Sequence, residues 1–264
     1  MSFDAVSGAA EPHLRLEIAR SEAGFSRIRR HRATFPWSFA RGFRAREGVS
    51  GVVLAIPQTA GAGVFGGETV SQQAVLGPES ALRWHVPGAL MIHPGRENGL
   101  ESRLDQRFSL AERASMTLEG EPCALLPGAF LHLETTVEAE TGARFLGFDG
   151  VCAARGDAEG HGFRLVTRVT AGGGEAFEDR QEASPAAAAR LSAQGWRAFG
   201  TVLAVVEGVH GLDGPLDLGS GVYAGAARLR RGAGFAIRIA ARDGGALRRA
   251  GQAALKLAAK ATGM

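Results

Sequence analysis

The feature that most constrains this chain is a two-residue alternation of apolar and polar side chains that recurs along its length. Leu131, Leu133, Thr135 and Val137 alternate with His132, Glu134, Thr136 and Glu138. Leu104, Phe108 and Leu110 alternate with Arg103, Asp105, Arg107 and Ser109, and Phe163, Leu165 and Val169 with Arg164 and Arg168. Leu14, Leu16 and Ile18 against Arg15 and Glu17 repeat the pattern near the start. Successive side chains of a strand point to opposite faces, so each segment reads as a strand with one buried face. Turn signals fall about every ten residues, which suggests successive antiparallel strands in a mainly β fold, either a large two-sheet sandwich or a β-helical wrap.

Two helices interrupt the strands. Ser184 and Pro185 supply an N-cap and first turn for PAAAARLSAQGWRAF, expected to run to Gly200 with a stripe through Ala188, Leu191 and Trp196. A second opens at Asp243 and continues through Leu247, Gly251 and Leu255, with Lys256 and Lys260 placed to suit the negative end of its dipole. At 264 residues the chain can bury a substantial core, and one domain over residues 1–264 is expected. The opening residues lack a charged start followed by an apolar run, and no run of apolar residues is long enough to span a bilayer as a helix. A cytoplasmic protein with no membrane contact is the expectation, with Cys123 and Cys152 as free thiols.

The net charge of +3 is unevenly spread, with arginines crowded between Arg27 and Arg46 and again from Arg228 onward. Such clusters attract nucleic acid or acidic proteins, but no RNA-binding aromatic motif, helix-turn-helix or zinc finger accompanies them. The turn Gly66-Gly67-Glu68 lacks the Lys-Ser/Thr ending and following helix of a phosphate loop, so it reads as a tight turn between strands.

Most of the polar chemistry gathers in Arg144 to Phe163, where a strand opens into a glycine-rich loop carrying Asp149, Cys152, Arg155, Asp157, Glu159 and His161. Their spacing is not that of a closed zinc site. His132 reads as a strand residue at the surface. A hydrolase built on Asp149, His161 and Ser220 lacks a nucleophile elbow. A β-sandwich module binding carbohydrate or nucleic acid would need Trp37, Trp84 and the arginines in one exposed groove.

The order GVFGGETV, VPGALMIH, a strand pair around Pro122, RFLGFDGVCAARGDAEGHGF and then SGVYAGAARLRRGAGFAIRIAARDGGALRRA resembles the urease accessory protein UreD (UreH) family over most of the chain. Gly66-Gly67-Glu68 stands for the family's Gly-Gly-Asp turn, Val86 to Ala89 for part of its Thr-Pro-Gly-Ala run, and Phe148, Asp149, Ala154 and Arg155 for its Trp-Glu and Gly-Arg positions. The chain departs from the family at Leu90 to Pro94, an apolar stretch with His93 where the family is polar, and after Pro122.

The resemblance implies an all-β fold with two helices, no catalytic residues and no tightly bound cofactor. It implies a scaffold that works with UreF-like and UreG-like accessory proteins to load nickel into apo-urease, conducting Ni(II) transiently through a polar interior. A conduit needs open oxygen or imidazole donors, because a thiolate cage would hold the ion. Asp149, Glu68 and His93 are the residues expected to serve that passage. For each a structural role is the alternative: Asp149 bonding Arg155, Glu68 capping its turn, and His93 as a surface loop residue.

Overall fold

The computed structural model describes residues 11–44, 51–96, 100–154, 160–172, 174–208 and 212–264. A hairpin, β1 (Leu14–Arg20) and β2 (Ser26–Ala33), opens the chain. Five short strands follow: β3 (Trp37–Ser38), β4 (Gly42–Arg44), β5 (Val53–Ala55), β6 (Gln58–Thr59) and β7 (Val64–Phe65). The chain then winds in coils. The first contains β8 (Thr69–Leu76), β9 (Ala81–His85) and β10 (Met91–His93), and the second β11 (Ser102–Leu110), β12 (Ser115–Glu119) and β13 (Cys123–Leu125). The third holds β14 (Phe130–Ala139) and β15 (Arg144–Ala153), after which β16 (Gly162–Ala171) turns back into β17 (Gly174–Ala183). Helix α1 (Pro185–Ala193) leads to β18 (Ala198–Val205), β19 (Gly214–Leu216), β20 (Val222–Arg228), β21 (Gly234–Ala241) and the closing helix α2 (Gly244–Thr262).

These strands form two facing sheets. The first has seven strands in the order β17-β16-β14-β11-β8-β1-β2, and the second twelve, along β19-β20-β21-β18-β15-β12-β9-β5-β4 with β7, β10 and β13 beside them. The long strands of the first sheet run parallel from β1 through β8, β11 and β14 to β16, not antiparallel as their succession suggested. Alternation fixes which face is buried but says nothing of direction. The return path here is on the second sheet, through β9, β12 and β15, so each coil re-enters the first sheet in the same sense.

Three turns that carry the chain between sheets are stacked on one another. In Gly77–Ser80, Ala111–Ala114 and Glu140–Ala143 the fourth N–H bonds the first carbonyl, at 3.2, 2.9 and 3.0 Å. The third residue has positive φ each time: Glu79 at 55°, Arg113 at 56° and Gly142 at 69°. Side chains disfavour that conformation. Here the neighbouring turns supply support, since Glu79 N donates to Glu112 O, Arg113 N to Thr141 O, and the Arg113 guanidinium meets Glu79 at 2.7 Å.

Two apolar clusters result. The larger lies between the sheets and includes Leu16, Trp84, Phe108, Leu131 and Phe145. The smaller lies on the far face of the second sheet, where α2 sets Ala246, Leu247, Ala250, Ala254 and Ala258 against Phe148, Val202, Phe235, Ile237 and Ile239. Asp243 caps α2 by accepting from Ala246 N at 2.8 Å, and Gly263, at φ 68°, ends it. Ser184 caps α1 as the sequence indicates, but the helix stops at Ala193 and not near Gly200, because Gly195 turns left-handed at φ 88° and Trp196 then leads toward β18.

Candidate functional site

Strand β15 has both faces buried and divides them by parity. Phe145 and Val151 face the first sheet, and Leu146 and Phe148 face α2. Asp149 shares the first of these faces, so the strand's one carboxylate enters the space between the sheets. There Thr135 Oγ1 of β14 donates to its Oδ2 at 2.6 Å, and Gln106 Nε2 of β11 to its Oδ1 at 3.3 Å. Burial pushes the Asp149 carboxyl above the usual aspartate range, and the two hydrogen bonds pull against that shift.

Asp149 lines a cavity of about 40 Å³ together with Gln72, Gln106, Trp37, Glu121 and Cys123. Space of this size admits about three water molecules. Its polar lining is incompletely used: Gln72 Oε1, Gln106 Oε1 and Trp37 Nε1 are buried without a hydrogen-bond partner among the described residues. Two carbonyl oxygens and a carboxylate therefore face one small volume. The cavity lies beneath the bend of the second sheet, where Gly88, Gly120 and Gly150 line its wall. Glu121, at this bend, is held at 3.1 Å by Arg248 of α2.

The strand register extends this polar lining across the sheet. Gln72 pairs with Gln106, Gln106 with Thr135, Thr135 with Thr167, and Thr167 with Asp179, one residue from each of five neighbouring strands at the same level. On the facing sheet Asp149 pairs with Thr201, and Thr201 with Arg238. The two rows meet: Gln181 Nε2 donates to Thr201 Oγ1, and Arg238 pairs with Asp179. Asp179 is buried while Arg238 keeps 57% of its side-chain surface exposed, so the polar band runs from the cavity to solvent.

Thiolate chemistry is absent from this band. Burial pushes the Cys123 thiol up to about 12 and the Cys152 thiol up to about 11, so both stay protonated near neutrality. Both are free, and they diverge, because Cys123 joins the inter-sheet cluster whereas Cys152 packs against the α2 side. No group of three or more His, Cys, Asp or Glu able to hold a metal ion occurs among the described residues.

Of the three residues expected to serve the passage, Asp149 alone lines the cavity. Glu68 is exposed and takes the capping role, accepting from Phe65 N at 2.9 Å. His93 lies in strand β10, not in a surface loop, stacked on Phe65 with ring centroids 4.4 Å apart and its Nε2 3.1 Å from Ala62 O. Glu68 and His93 thus share Phe65 as a neighbour, and neither lines the cavity. Arg155, Asp157 and Glu159 lie outside the described residues, and Asp149 takes Thr135 and Gln106 as its partners. His132 is half-buried, close to Glu134 at 3.9 Å.

The rival readings lose their geometry. Trp37 and Trp84 are 5% and 0% exposed, so they form core and not a groove. Ser220 sits exposed in a turn before β20, while His161 is buried in a separate small cavity beside Phe163 and α1. Sequence reasoning missed Gln72, Gln106, Thr135, Thr167 and Asp179. Their one local signal is a polar residue at an inward position of each alternating strand.

Residues 10–263 match the family model described as UreD urease accessory protein. The chain is similar to urease accessory protein UreD 3 of Bradyrhizobium sp. (strain ORS 278), 28% identical over 248 residues, covering 90% of this chain and 87% of the relative. It is 27% identical over 236 residues to urease accessory protein UreD 1 of Methylorubrum populi, covering 85% of this chain and 79% of that one. A third relative, urease accessory protein UreD of Mycolicibacterium gilvum, is 27% identical over 251 residues, covering 90% and 89%.

Proposed function

Since the chain belongs to the UreD family of urease accessory proteins, we propose that its part in urease maturation is to pass Ni(II) through the space between its two sheets, in a complex with UreF-like and UreG-like proteins and apo-urease. The observation that carries this reading is the polar band, which begins in a cavity with unpartnered amide oxygens beside Asp149 and ends at Asp179 and Arg238.

The donor set suits a moving ion. Amide and hydroxyl oxygens with one carboxylate at a time bind nickel weakly, and the protonated thiol of Cys123 does not compete. Asp149 is where a cation and a proton compete as the ion arrives and leaves, because burial raises its proton affinity and the ligand form is the carboxylate. Thr135 and Gln106 hold the carboxylate in place through both steps. Glu121 lies at the cavity wall, where its pairing with Arg248 neutralises a second carboxylate that would otherwise deepen the site. Glu68 and His93 have no place in this interior route. We assign them to the exposed corner around Phe65, where they can meet nickel only outside the passage.

The test is urease activation by the assembled complex. Asp149→Leu is expected to stay soluble and to retain its partners while nickel-dependent activation falls at least about tenfold, the loss of the cavity carboxylate that no arginine neutralises among the described residues. A variant that assembles and activates urease fully would refute the passage through this cavity. Loss of assembly would mark Asp149 as structural, and Asp149→Asn, which keeps the size and one acceptor, then separates charge from fold.

A further inference from the structure

The arginines near the start of the chain are not absorbed by the interior route. The stretch from Arg27 to Arg44 holds six arginines, Arg27, Arg29, Arg30, Arg32, Arg41 and Arg44, and no carboxylate. Six positive charges exceed the +3 of the whole chain, so everything outside this stretch is net acidic. The fold concentrates them. Strand β2 is an edge of the seven-stranded sheet, and β4 lies against it because Gly42 has no side chain where a Cβ would come within 2.9 Å of Ile28 Cδ1.

Little in the protein neutralises this corner. Arg32 meets Glu11 at 2.5 Å, but Arg27, Arg29 and Arg30 form no ion pair among the described residues. Arg44 and Arg41 lie over the rings of Phe25 and Phe43, at 4.8 and 5.1 Å, and those rings are 39% and 41% exposed. The edge of β2 away from β1 pairs with no strand among the described residues. The register with β1 places Arg27, Arg30 and Arg32 opposite Ala19, Glu17 and Arg15, on the face turned away from the core, with Arg29 as the extra residue of a bulge.

A second copy of the chain is a poor occupant, since arginine would face arginine across the new ladder. Charge complementarity and open backbone groups instead select a strand of opposite sign. We propose that β2 and its flank at Arg41 and Arg44 form a docking edge for an extended acidic segment of a protein partner, which adds beside β2 and sets carboxylates against Arg27, Arg30 and Arg32. This contact is independent of the polar band and lies on the opposite edge of the sheet from Asp179.

Fluorescence anisotropy with the whole protein tests it. The probe is a labelled heptapeptide in which glutamate alternates with serine and valine. Binding is expected to weaken at least about tenfold in R27A/R30A/R32A, the sum of several cross-strand charge pairs. It is expected to be unchanged in Arg107→Ala, an exposed arginine elsewhere on the same sheet face. An N-methylated version of the peptide is expected to bind more weakly, because it cannot donate to an edge. Three results would each overturn the proposal: no binding of the acidic peptide at low salt, equal binding by the triple variant, or tighter binding of single-stranded oligothymidylate through the same arginines, which makes the edge a nucleic-acid surface.

Discussion

The two faces of the second sheet are both buried, yet they are packed by opposite means. Under α2 the cover is alanine and glycine fitted to large rings: a Cβ on Gly251 would come within 2.9 Å of the Phe148 ring, and one on Gly200 within 2.8 Å of Asp149 O. Among the described residues, no polar row crosses that interface. On the other face, residues of similar burial include Gln72, Gln106, Thr135, Thr201 and Asp179, and the packing leaves a cavity. The same strand, β15, contributes Phe148 to the first and Asp149 to the second. Tight packing on one side fixes the strand, and looser polar packing on the other becomes possible because the strand is fixed.

That contrast breaks most visibly at Phe148. Phe148→Ala is expected to cost about 3–5 kcal/mol in denaturant unfolding, as for other buried rings. A loss below about 1 kcal/mol would mean that α2 adds little to the second sheet. Gly251→Val approaches the same interface from the helix and is expected to cost about 1–3 kcal/mol by overpacking.

On the polar face, Thr135→Val keeps the shape but removes a donor to a buried carboxylate. With the carboxyl ionised the expected cost is about 1.5–3 kcal/mol, the range for hydrogen bonds to charged groups. The pH dependence sharpens this. Asp149 has its carboxyl raised above 3.8 in the folded state, so the folded protein holds a proton that the unfolded chain releases. Its contribution is full below 3.8, is lost as pH rises from there toward the raised folded value, and changes no further above it. Thermal unfolding of Asp149→Asn compared with the parent across that window is expected to show a difference that grows with pH in favour of Asn. A constant difference would mean that the carboxyl titrates normally.

The smallest expected effect is at the thiols. With Cys123 raised to about 12 and Cys152 to about 11, replacing both by serine is expected to leave calorimetric nickel affinity within about twofold, because the thiolate is the ligand form. Loss of tight binding in the double variant would move the metal chemistry from oxygen to sulfur and undo the contrast between the two faces.

Much of this architecture was legible because alternation reports burial directly: Leu131 to Val137 and Leu104 to Leu110 face inward as their period requires. Strand direction was not legible, since parallel and antiparallel neighbours share the same alternation. Asp149 stood out as a carboxylate in an apolar strand. Its partners did not, because Gln106 and Thr135 are separated from it by 43 and 14 residues and are joined to it by the register of the coils. A binding groove would have needed Trp37 and Trp84 exposed, whereas coil winding places both inside. The helix beginning at Ser184 carried its own start signal, but its end depends on the left-handed turn at Gly195.

The level alignment of Gln72, Gln106, Thr135, Thr167 and Asp179 also sets a length scale for traffic. Neighbouring strands lie about 4.8 Å apart, so each polar group is one such interval from the next and the row covers about 19 Å. On the proposed passage, a cation following it would exchange one oxygen for another in short hops and need not shed its whole hydration shell at once. Its pace would then be governed by the hop from Thr135, the row's contact with Asp149, to Thr167, the neighbour of Asp179, because both ends of that hop offer only a hydroxyl oxygen.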